Sequence, residues 1–219
     1  PDQFVEMVSL TILNLKNNPI KQMSRYYFRP IAGKLKTLDL SFVELETGWS
    51  IENIKELFAD LTNLVMLNLN GNNLTQIGKE MFEKMRNSLT DLNMKNNQLN
   101  VIETNTFSTL TQLRTLSLGS NQIEILRHGI YNGLSNLTLL LLDGNRIGEI
   151  EANTFKNLSR IELLSLAENN LKQLKKETFF GLNNLQALDL QKNRIKSIEM
   201  NTFKSLSRLE LLNLQYNQI

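Results

Sequence analysis

A period of about 24 residues constrains this chain more than any other feature. The unit is clearest where Leu185, Leu188, Leu190, Asn193, Ile195 and Ile198 are followed by Phe203 and Leu206. The spacing L-x-x-L-x-L-x-x-N-x-L-x-x-I, closed by F-x-x-L, recurs with first members at Leu64, Leu89, Leu113, Leu137, Ile161, Leu185 and Leu209. These are separated by 25 residues once and by 24 thereafter. A fixed period of that length specifies a solenoid, because one unit cannot close a core alone and buries its apolar face by stacking.

Within the unit, Leu188-Asp189-Leu190 alternates apolar and polar, the pattern of a half-buried strand. The chain then turns, and the turn would leave backbone N–H and C=O groups buried without partners. A side-chain amide carries both donor and acceptor, so a column of asparagines can serve those groups in successive repeats. That column reads Asn18, Asn72, Asn97, Asn121, Asn145, Asn169, Asn193 and Asn217. The aromatic column Phe82, Phe107, Tyr131, Phe155, Phe179, Phe203 is expected to fill the wide side of each turn. Glycines at the ladder turns (Gly71, Gly119, Gly144) and before leucines (Gly133, Gly181) are expected where the backbone is tight.

The expected fold is therefore an α/β repeat solenoid. It is a curved horseshoe with a parallel β-sheet on its concave face and irregular or short helical segments on its convex face. Residues 1–219 read as a single array of about eight full or partial repeats. Neither end shows a polar cap, so the sequence reads as a window from a longer array whose terminal caps are missing. The irregular unit is 35–63. Val43 stands there in the asparagine position, and Ile51, Ile54, Leu57, Phe58 and Leu61 follow helical spacing behind a candidate N-cap, Ser50. A short convex helix that compensates for the lost amide is one reading of this insertion. A loop that projects the only tryptophan, Trp49, as a contact is the other.

Composition excludes several functions. A net charge of +2 carries no specific nucleic-acid signal, and no apolar run reaches the roughly 18–20 residues of a membrane span. The sole histidine, His128, has no cysteine or second histidine to form a metal site or a nucleophile–base pair. No catalytic, metal or cofactor constellation emerges, and a non-enzyme is expected. The sequons at Asn73, Asn136 and Asn157 are glycosylation candidates if the chain is secreted.

What remains is surface. Positions between the strand leucines face the concave side and are mostly polar. Around Leu139, Leu141, Leu163 and Leu211 they turn apolar, with Asp143, Glu168 and Tyr216 at the border. An apolar patch with a polar rim marks a candidate ligand site.

The 24-residue motif with its phenylalanine column resembles the typical leucine-rich repeats of animal extracellular proteins. With an occasional longer unit such as 35–63, it looks most like the interior of a Toll-like receptor ectodomain. That resemblance implies a non-catalytic scaffold for a protein or pathogen-derived ligand, working as a receptor dimer in signal transduction. It also implies an extracellular or lumenal glycoprotein whose parent is membrane-anchored, although no membrane segment lies in this piece. Adhesion, guidance and matrix proteins share the repeat and are the alternative.

Overall fold

The computed structural model describes residues 3–20, 23–24, 26–43 and 50–219. In chain order, β1 (Ile12–Asn14), β2 (Thr37–Asp39), α1 (Ile51–Leu57), β3 (Met66–Asn68) and β4 (Asp91–Asn93) come first. They are followed by β5 (Thr115–Ser117), β6 (Ile125–Leu126), β7 (Leu139–Leu141), β8 (Glu149–Ile150) and β9 (Leu163–Ser165). The last are β10 (Gln173–Leu174), β11 (Ala187–Asp189), β12 (Ser197–Ile198) and β13 (Leu211–Asn213). Nine of the strands form one parallel sheet, ordered β1-β2-β3-β4-β5-β7-β9-β11-β13. Register is the repeat spacing itself, for instance Leu116 beside Leu140, Leu140 beside Leu164, and Leu164 beside Leu188. The solenoid and its concave parallel sheet are as the period requires.

The strand leucines and their partners in the unit form a continuous core, with Leu92, Leu116, Leu140, Leu164 and Leu188 buried. Behind them the aromatic column stacks from repeat to repeat. Ring centroids are 5.7 Å apart for Tyr131–Phe155, 6.5 Å for Phe155–Phe179 and 5.9 Å for Phe179–Phe203, with planes within 16°.

Polar side chains tie the turns together. Asn145 accepts from the Ile123 N–H (3.1 Å) and donates to the carbonyls of Leu118 and Leu142 (both 3.0 Å). Asn97, Asn121, Asn169 and Asn193 repeat this arrangement, each bridging its own turn and the preceding one. Asn217 does likewise, and Asn72 accepts from Val43 and donates to Leu40. Asn18 donates within its own turn, to Leu15 and Lys16. At Val43, the carbonyl takes the place of the missing amide oxygen and accepts the Ile20 N–H at 3.1 Å. The helix is therefore not the compensation suggested by the sequence. Instead α1, capped by Ser50 accepting from the Asn53 N–H at 3.2 Å, buries Ile54 and Leu57 as core. Trp49 lies outside the described residues.

The residue before each ladder position is left-handed throughout. Gly71 and Gly144 have φ of 71° and 67°, but Phe42, Ser120, Glu168, Lys192 and Tyr216 hold φ of 51–55° without being glycine. Gly119 is different from the expected tight turn. Its φ is not positive, and the missing side chain makes room for Asp143, whose Oδ1 would lie 2.8 Å from a Cβ.

On the convex side, among the described residues, β6 pairs with β8 and β10 with β12, while ring stacking and backbone hydrogen bonds continue from one couple to the next. Within each couple a glutamate of the second turn reaches back to a backbone N–H of the first. His128 N–H donates to Glu151 Oε2 (2.8 Å), and Lys176 N–H donates to Glu199 Oε2 (3.0 Å).

Candidate ligand-binding face

The concave row that the register aligns includes Leu139, Leu163, Ala187 and Leu211, on four adjacent strands β7, β9, β11 and β13. Neighbouring strands lie about 4.8 Å apart, so this apolar row is roughly 15 Å long. Leu163 is 37% and Leu211 53% exposed, whereas Leu139 and, on the next row, Leu141 are half-buried. Beside Leu141, Ser117 and Ser165 are buried despite facing the same side. Elsewhere in that second row the side chain is Asn or Asp and has a structural task. Asn14, Asp39, Asn68, Asn93, Asp189 and Asn213 each accept from the N–H two residues on. Leu141 breaks this pattern and adds its apolar surface to the row.

The border lies where the chain leaves the strands. Asp143 pairs with Lys95 at 3.2 Å, two repeats away, over the gap left by Gly119. Glu168 pairs with Lys192 at 2.7 Å. The hydrogen bond and charge of Lys192 hold the Glu168 carboxyl below its ordinary value, with a further contribution from Lys95, and the same bond raises Lys192. Tyr216 stands exposed at 74%, one turn beyond Lys192. Sequence reasoning singled out Asp143, Glu168 and Tyr216 but missed Lys95 and Lys192. Aligning the second position after each strand would have shown Lys95, Gly119 and Asp143 in one column.

The remaining candidates lie elsewhere. His128 is exposed on the convex side and uses its backbone N–H toward Glu151. Asn73 follows a ladder turn, Asn136 precedes a strand, and Asn157 lies on the convex turn donating to Asn132. None of these three stands on the concave rows. Among the described residues no group of three His, Cys, Asp or Glu is placed to hold a metal ion. No described helix is long and apolar enough to cross a membrane.

This solenoid, with its amide ladder and aromatic column, defines the class of protein: the chain belongs to the leucine rich repeat family, which it matches over overlapping segments from 51–99 to 162–219. Among individual proteins it is similar to Toll-like receptor 3 of Boselaphus tragocamelus, with 34% identity over 135 residues. That match takes in 61% of this chain and 15% of the receptor. Among solved structures it is similar to the protein in the crystal structure of a TLR13-ssRNA13 complex, with a TM-score of 0.66 and 27% identity. The likeness covers 96% of this chain and 36% of the solved one, so the chain spans a small part of the length of either relative.

Proposed function

We propose that this chain is a ligand-binding segment of a Toll-like innate immune receptor ectodomain, a non-catalytic scaffold that meets a protein or pathogen-derived ligand through its concave face. The observation that carries the reading is the row of four apolar side chains on adjacent strands, bordered by the Lys95–Asp143 and Lys192–Glu168 pairs. An apolar strip with a charged rim offers burial at its centre and orientation at its edge. The similarity to Toll-like receptor 3 supports the receptor assignment. An extracellular or lumenal location, a membrane-anchored parent and signalling by dimerisation belong to the same proposal. The three sequons leave the concave rows free of sugar. The solved relative's RNA complex makes single-stranded RNA the second candidate ligand.

The test is to pan the chain against displayed secreted and microbial-surface proteins, and then to measure hits with Leu163→Asp. Loss of at least roughly tenfold in affinity, with an unchanged urea midpoint, is expected for a contact at the centre of an interface. Hits that bind the variant equally would place the site on another face. Binding only to single-stranded RNA, indifferent to the substitution, would replace the protein-ligand reading.

A further inference from the structure

On the opposite edge of the sheet, where the chain enters the strands, a groove of about 660 Å³ crosses five repeats. Arg114, Arg160 and Arg208 line it, flanking β5, β9 and β13, so one guanidinium falls on every second strand. At about 4.8 Å per strand, Arg160 and Arg208, which hold the same place in their repeats, lie roughly 10 Å apart, and Arg114 precedes them by two strands from a place two residues nearer its own strand. Arg160 is fixed by donating from Nη1 to Asn136 Oδ1 at 2.7 Å. Among the described residues Arg114 and Arg208 have no side-chain hydrogen bond or ion pair. The floor is held in place: Asn136 Nδ2 donates to the Thr111 carbonyl (2.7 Å), and Asn184 Nδ2 to that of Ser159 (2.6 Å), and the groove is open to a ligand where the Asn136 sequon carries no glycan. Spending those donors inward leaves the Asn184 oxygen as an acceptor facing the groove.

We propose that this groove binds an acidic polysaccharide in which charged and neutral sugars alternate. Every lining side chain is polar or charged. Bases find no ring on which to stack, and a peptide finds no apolar anchor pocket. Glu162 shares its repeat with Arg160, two residues on, whereas the repeats between the arginines present only Asn136, Thr138, Asn184 and Gln186. A dense polyanion would press charges against Glu162 and leave others over the neutral repeats without a cation, since a nucleic acid strand carries one about every 3.4 Å. An anion with one charge per two sugars can meet the guanidiniums and lay its neutral sugars over the repeats between them, where Thr138, Asn184 and Gln186 offer hydroxyl and amide partners.

The experiment is calorimetric titration of the bacterially produced chain, free of N-glycans, with oligosaccharides of unsulfated chondroitin, which carries one carboxylate per disaccharide. Dextran and a single-stranded RNA of similar length are the comparison ligands. Chondroitin should bind and dextran should not. Arg114→Gln and Arg208→Gln should each weaken binding about five- to tenfold, as loss of one charge-assisted contact would. Glu162→Leu, which removes the carboxylate beside Arg160, should strengthen RNA more than chondroitin. All three side chains are exposed, so the fold is unaffected. Absence of chondroitin binding, or binding indifferent to both arginines, overturns the proposal. Tighter binding of RNA to the wild-type groove overturns it in favour of a nucleic acid. Leu163→Asp should leave chondroitin binding unchanged, which separates this result from that for the concave face.

Discussion

Asn145 shows what one ladder side chain does. It is 7% exposed and serves one N–H and two carbonyls from two repeats. Truncation strands these groups in a buried turn, so Asn145→Ala should cost about 1–3 kcal/mol, read as a lower urea midpoint. An unchanged midpoint would mean that solvent reaches the turn. The ladder was legible because the same residue type returns at a fixed place. The left-handed position beside it was not. Gly71 and Gly144 advertise it, but Phe42, Glu168, Lys192 and Tyr216 are held there by the ladder on either side, against their own preference. The same holds for Thr106, Thr154 and Thr202, which look like surface residues but are buried, each hydroxyl donating to a carbonyl three residues back.

At the scale of elements, each concave strand is three residues long and its faces follow from alternation alone, so the apolar row could be read without coordinates. Rim pairing could not, because Glu168 and Lys192 are 24 residues apart and meet only in register. Their bond lowers the folded-state pKa of Glu168 and raises that of Lys192. The carboxylate's contribution is therefore present above its unfolded pKa and lost as pH falls through the folded one. The ammonium's contribution is present below its unfolded pKa and lost as pH rises through the folded one. Lys192→Gln should move the Glu168 carboxyl titration upward in an NMR pH series. An unmoved titration would assign the depression to Lys95 instead. The irregular unit was legible as a helix from its spacing and cap, whereas the substitution of a carbonyl for an amide at Val43 leaves no mark in residue types.

Across the whole molecule, a repeat packs against its neighbours and nothing else, so opening can begin locally and spread. Leu13 is only partly buried, whereas Leu116 and Leu140 are completely so. Amide exchange should accordingly be at least about tenfold slower in β5 and β7 than in β1, a local difference of roughly 1.4 kcal/mol. Uniform protection would instead describe one all-or-none unit. The solenoid was the most legible level of all, since seven regular copies over-determine it. Sheet edges, grooves and the pairing of turns arise only when copies that differ in sequence are set side by side.

That pairing bears on how such a chain can change its length. The acid-bearing turns beginning at Ile102, Ile150 and Ile198 recur every 48 residues, and a turn carrying Arg127-His128 or Lys175-Lys176 falls between them. If a gene lost a single 24-residue copy, two acid-bearing turns would become neighbours, and a glutamate such as Glu151 would face another carboxylate. Loss or duplication of two copies together would leave every such contact as it was. Unequal crossing-over in double steps is therefore the course of growth or shortening that preserves these two contacts.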